Sequence, residues 1–149
     1  MKVLLHIFGW SLALLLLLQF IKIDVPPPPS ATPDDEIKAP SQIMAILKRS
    51  CYDCHSNHTN FPWYSKIAPI SWQINSNVKH ARAWLNFSIW NKYPPSKKEK
   101  LLKGIIEAVK FKMPPVEYLL VHKEARLTPK ERKMLQEWAK AQLKNKKKN

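Results

Sequence analysis

The pattern of apolar and polar positions divides the chain into an apolar run, a proline-rich stretch and a set of helical stripes. Val3 to Ile23 is almost continuously apolar, with Leu14 to Leu18 at its centre and His6, Ser11, Gln19 and Lys22 as interruptions. As one helix at about 1.5 Å per residue this run reaches ~31 Å, enough for a bilayer's hydrocarbon core. Lys2 precedes it, and Asp24 with four prolines follows, an asymmetry that predicts an N-in orientation. Phe20-Ile21-Lys22-Ile23-Asp24 offers no small-x-small cleavage site, which favours 1–23 as an uncleaved transmembrane anchor, with a cleaved signal peptide as the competing reading; either way the rest of the chain is expected to be exported. The next segment, 24–39, contains Pro26 to Pro29 and Pro33 and predicts a stiff, extended linker.

From Pro40 the period changes to helical. Ser41 is placed to cap a helix carrying Ile43, Ile46 and Leu47, with Ser50 and Cys54 continuing that face. Pro69 opens a second helix with the stripe Ile70, Ile74, Val78, Ala81 and Leu85. Ser96-x-x-Glu99 predicts a capping box for a third helix bearing Leu101, Leu102, Ile105, Ile106 and Val109. Thr128-Pro129-Lys130-Glu131 predicts another, leading into Met134, Leu135, Trp138 and Ala141. No segment alternates with period two, so the domain over 40–143 is expected to be all-α. Gly104 falls inside the third helix, either at a close approach or simply tolerated. The lysine-rich tail, 144–149, is expected to be disordered.

Composition narrows the chemistry. The chain has only 2 Gly against 13 Pro, which leaves no glycine-rich phosphate loop and argues against a nucleotide-binding enzyme. Its formal net charge of +14 fits a basic surface near anionic lipid or an acidic partner protein. Nucleic acid is not expected as a partner, since the anchor would place the domain across the membrane from it.

Cys51-Tyr52-Asp53-Cys54-His55 is the motif C-x-x-C-H. Two thiols three positions apart can form thioethers with the two vinyl groups on one porphyrin edge, and the following His can ligate the iron. The spacing therefore predicts one covalent haem c on Cys51 and Cys54, with His55 as axial ligand. Competing readings are a structural disulfide, a thioredoxin-like redox pair, and zinc held with His58, His80 or His122. For the sixth iron position Met113 is the favoured candidate, because Pro114-Pro115 would stop the preceding helix and stiffen the loop. His58, His80 and His122 remain alternatives. Trp63, Tyr64, Trp72, Trp84, Phe87 and Trp90 are candidates to wall the haem, with Asn86 or a propionate available to a buried indole N–H.

These motifs, in this order, resemble the small bacterial haem-binding domain family, found as membrane-anchored proteins and as modules beside di-haem peroxidase domains. The resemblance runs from about Ser41 to Ala139. It rests on Cys51-x-x-Cys54-His55-Ser56, Pro62-Trp63-Tyr64, Ala68-Pro69-Ile70-Ser71-Trp72 and Leu85-Asn86-Phe87-Ser88-x-Trp90. Met113-Pro114-Pro115-x-x-Tyr118 and His122 with Leu127-Thr128 complete it. It implies a cytochrome-c-like fold, a c-type haem and His/Met ligation. One departure is His80-Ala81-Arg82, where a Gly would be expected near the end of the second helix. The expectation is thus a single-pass protein of a bacterial inner membrane, its haem domain facing the periplasm or cell exterior. Haem-maturation machinery and a redox partner are the implied protein partners. A one-electron carrier or haem-binding accessory of a periplasmic redox chain is favoured over an enzyme, with a peroxidase-like site or a haem-based redox or gas sensor as alternatives.

Overall fold

A computed structural model describes residues 1–146, and these contain seven α-helices and no strand. The helices are α1 (Lys2–Leu18), α2 (Ser41–Ser50), α3 (Tyr52–His55), α4 (Ile70–Trp84), α5 (Pro95–Phe111), α6 (Val116–Leu119) and α7 (Pro129–Lys146). Short 3-10 turns occupy Pro33–Asp35, Trp63–Lys66, Phe87–Lys92 and Lys123–Ala125. The all-α expectation holds, and the lysine-rich tail is helical as far as Lys146. Residues 147–149, also expected to be disordered, lie outside the described residues.

The N-terminal expectation is corrected. Helix α1 has 17 residues, and among the described residues no helix is long and apolar enough to cross a membrane. The apolar run extends to Ile23, but the helix stops at Leu18, and the residues after it bond to the rest of the domain. Gln19 exchanges hydrogen bonds with the Ala68 backbone, donating to its carbonyl (3.1 Å) and accepting from its amide (3.0 Å). The Trp72 indole donates to the Ile21 carbonyl (2.8 Å) and the Asn75 amide to that of Ile23 (2.6 Å). The transmembrane anchor and the single-pass inner-membrane placement are therefore not supported.

The proline-rich segment also follows the domain rather than standing clear of it. Asn57 donates to the Pro29 carbonyl, Lys92 to that of Ser30 and Asn91 to that of Asp34. Ile37, bonded through its amide to the Phe87 carbonyl, joins the core.

That core is built where the stripes predicted it. α5 packs against α7, and α2 against α7. Ile43, Ile46 and Leu47 of α2 meet Leu101, Leu102, Ile105 and Val109 of α5 and Leu135, Trp138 and Ala139 of α7. Each large apolar side chain fully buried there contributes about 1.5–3 kcal/mol. Thr128 and Glu131 form the expected capping box, the Thr128 amide donating to Glu131 Oε2 (2.8 Å) and the Glu131 amide to Thr128 Oγ1 (3.2 Å). The other two caps differ. Pro40 and Pro94 occupy the N-cap positions of α2 and α5, so Ser41 and Ser96 fall inside the first turns. A Cβ at Gly104 would overlap the Trp84 indole, so this glycine lets α4's last residue lie across α5.

Candidate functional site

The Cys motif sits at a break between two helices. α2 ends at Ser50, and Cys51, at φ −132°, leaves the helical region before α3 resumes for one turn. Within that turn the Cys54 and His55 amides both donate to the Cys51 carbonyl, at 3.2 and 2.9 Å. Both thiols and the imidazole thus belong to one compact turn. Neither cysteine is in a disulfide. Burial pushes the Cys51 thiol up to about 12 and the Cys54 thiol up to about 11. Both stay protonated at neutral pH, unlike the low-pKa nucleophile of a thioredoxin-like pair. Among the described residues no group of three or more His, Cys, Asp or Glu side chains is arranged to hold a metal ion, so the zinc reading has no ligand set.

His55 is prepared for ligation. Its Nδ1 lies 3.0 Å from the Leu85 carbonyl, an oxygen that can only accept, so the ring proton is on Nδ1 and the lone pair on Nε2. Burial lowers the His55 pKa, against the opposing effect of the Leu85 and Ala81 carbonyls, and favours the neutral ring. Phe87, fully buried, meets the imidazole edge-on at 6.2 Å and stacks on Tyr52 at 5.6 Å.

The chain after His55 is pinned on both sides. Ser56 is fully buried and donates to the Tyr52 carbonyl (2.8 Å), while its own carbonyl accepts from Arg82 Nε (2.8 Å). The Asn57 amide donates to Ser88 Oγ (3.0 Å), and Asn57 Oδ1 accepts from Asn86 Nδ2 (2.7 Å). Asn86 is fully buried, and its Oδ1 caps the following 3-10 turn through the Ser88 amide. Its polar atoms serve the loop.

The Met113 loop is fixed to the same structure. The Met113 amide donates to the Ala108 carbonyl, ending α5, and Pro114 is buried. Arg132 of α7 donates through Nη1 to the carbonyls of Val109 and Met113. Five residues beyond Met113, Tyr118 donates its hydroxyl to Asp53 Oδ2 at 2.6 Å, so the two halves of the predicted site are joined directly. Tyr118 also stacks on His122 at 4.3 Å. Both His122 nitrogens are engaged, Nε2 by the Tyr64 hydroxyl (2.8 Å) and Nδ1 by Glu124 (3.0 Å). His80 bonds within α4 to the Ser76 carbonyl, and both His80 and His58 are exposed.

The remaining candidates divide. Tyr64 joins the Asp53–Tyr118–His122 group, with Trp63 edge-on to it at 5.8 Å and 77% exposed. Trp72 is held by the N-terminal segment, Trp90 lies in the core beside Tyr93, and Trp84 covers Gly104. Arg82, Arg132, Asp53, Tyr118 and the Leu85 carbonyl carry much of the site's geometry but were not among the predicted site residues. Tyr118 and Arg82 had left a sequence trace, one in the Met-Pro-Pro-x-x-Tyr pattern, the other where a glycine was expected.

These residues fit a haem. They offer two free neutral thiols, an imidazole whose tautomer puts the lone pair on Nε2, and apolar side chains the polypeptide itself leaves open. Phe61, Ile67 and Ile70 are exposed after the Cys motif, and Phe111, Val116 and Leu120 flank Met113. An all-helical domain with such a site belongs to the class of small haem proteins. Residues 13–141 match the family model described as Haem-binding domain; the chain belongs to that family and is a haem-binding protein. Comparisons with curated proteins and with solved structures gave no match.

Proposed function

We propose that the haem is a single haem c, joined covalently through Cys51 and Cys54, and that the protein is a one-electron carrier. The observation that carries this reading is the lock between His55 Nδ1 and the Leu85 carbonyl beside two protonated, unpaired thiols. The thiol hydrogens are what two vinyl additions consume, and the Nε2 lone pair is what an axial ligand supplies. Met113 is the sixth ligand in this reading, favoured because Arg132 and Pro114 hold its backbone. His122 is a weaker candidate with both nitrogens bonded.

When bound, the haem supplies a one-electron iron couple. The chain's part is to orient the imidazole, hold the thioether and cover the ring with apolar side chains. With His55 and Met113 both holding the iron, no position would be left for substrate, which would suit a carrier better than a peroxidase or gas sensor. The implied partners are the haem-maturation machinery and a redox protein whose acidic surface complements the +14 chain.

The alkaline pyridine spectrum of the purified holoprotein tests the attachment, because saturating a vinyl group shifts the reduced band. A band for two saturated vinyl groups is expected. The band of unmodified haem would overturn the reading.

A further inference from the structure

Arg82 is a cation bonded to the chain just after His55, and the reading above leaves it without a role. It lies in the last turn of α4, where a positive charge is favoured by the helix dipole. Its Nε donates to the Ser56 carbonyl at 2.8 Å and its Nη2 to Thr59 Oγ1 at 2.7 Å. Thr59 Oγ1 in turn donates to the Asp53 carbonyl at 2.6 Å. The guanidinium therefore closes a ring of bonds around Cys54-His55, from Ser56, just after the imidazole, back to Asp53, just before the second thiol. One helical turn later, Leu85 supplies the carbonyl that sets the His55 tautomer. Arg82 is half-buried. A planar, permanently charged fork suits both tasks.

We propose that Arg82 is a positioning residue for the haem loop whose fixed positive charge also raises the reduction potential of the bound iron. Reduction adds one electron to the site, Fe(III) becoming Fe(II), and transfers no atom. The site loses one positive charge, so a nearby cation that cannot leave favours the reduced state. Partial burial strengthens that field relative to a cation in open water. Most of the chain's many lysines stand on exposed surface, where salt screens them. Arg82 differs in being tied at two points to the loop that carries the ligand.

The proposal rests on the haem c reading, and its test separates the two. Full-length chain is produced with haem-maturation machinery, and reduction potentials of wild type, Arg82→Lys, Arg82→Gln and Thr59→Val are measured by mediated titration. Wild type without covalent haem would defeat the haem c reading. With covalent haem present, Arg82→Gln is expected to shift the reduction equilibrium about tenfold toward ferric, equal to ~59 mV for one electron. Arg82→Lys, which keeps the charge, is expected to restore most of that shift. Thr59→Val leaves the charge but frees one arm of the guanidinium toward solvent, and about a threefold shift is expected. A potential in Arg82→Gln equal to wild type overturns the proposal. If that variant does not accumulate, a Thr59→Val potential equal to wild type overturns it instead.

Discussion

The hydroxyl of Tyr118 donates to Asp53 at 2.6 Å, across 65 residues of sequence, and so joins the loop after Met113 to the turn that carries Cys51, Cys54 and His55. Burial and the Asp53 carboxyl both raise the Tyr118 pKa, which keeps the phenol a donor at neutral pH. The bond makes one unit of what the sequence presents as two motifs.

Removing that hydroxyl is expected to cost stability without disturbing attachment. Tyr118→Phe keeps the ring stacked on His122 but deletes the donor. A loss of about 1 kcal/mol in chemical denaturation of the holoprotein is expected. Full covalent loading is expected to remain. A stability equal to wild type would mean that the two halves are held together by packing alone.

Met113 is tested through the iron. In the oxidised holoprotein a thioether ligand gives a weak far-red sulfur-to-iron band and keeps carbon monoxide off the reduced iron. Met113→Ala is expected to lose the band, lower the potential and admit carbon monoxide. Met113→His is expected to close the site again at a lower potential. Carbon monoxide binding by wild type would remove Met113 from the sixth position and strengthen the sensor and peroxidase alternatives.

The capping box of α7 predicts a pH dependence. Glu131 accepts from Thr128 and pairs with Arg49, and the Thr128 amide is the main cause of its lowered pKa. A carboxyl with a depressed folded pKa adds stability above its unfolded value, near 4.5, and loses it as the pH falls through the lower folded value. Glu131→Gln is expected to cost about 0.5–1 kcal/mol at neutral pH and nothing once the wild-type carboxyl is protonated. Denaturation curves of both proteins from neutral to strongly acid pH check this. A constant difference across that range would contradict it.

Much of this was legible in the chain. Leu101, Leu102, Ile105 and Val109, with Leu135 and Trp138, have a helical spacing that only a packed face explains, and all six are in the core. Thr128 and Glu131 are three residues apart, so their cap is a local property. What could not be read depends on distant partners. Hydropathy counts apolar residues from Val3 to Ile23 but is blind to the α4 side chains that hold the Ile21 and Ile23 carbonyls beyond the end of α1. The stripe Ile70, Ile74 and Val78 was right in period, yet the protein buries only Val78 of these. Periodicity shows that a face is to be covered without showing by what. Asn86, assigned to the haem pocket, satisfies Asn57 and the Ser88 amide instead. Arg132 acts on the backbone carbonyls of Val109 and Met113, which leave no mark on a sequence.

Covalent attachment through Cys51 and Cys54 is the claim on which the carrier reading stands. Full-length wild type and the Cys51→Ala/Cys54→Ala variant are produced with haem-maturation machinery, denatured and run on a gel stained for haem peroxidase activity. Wild type is expected to carry the stain at the position of the 17.4 kDa chain, and the double variant to carry none. A wild-type band without haem stain, from protein that bound haem before denaturation, would show that the haem is held without thioethers and would contradict the account.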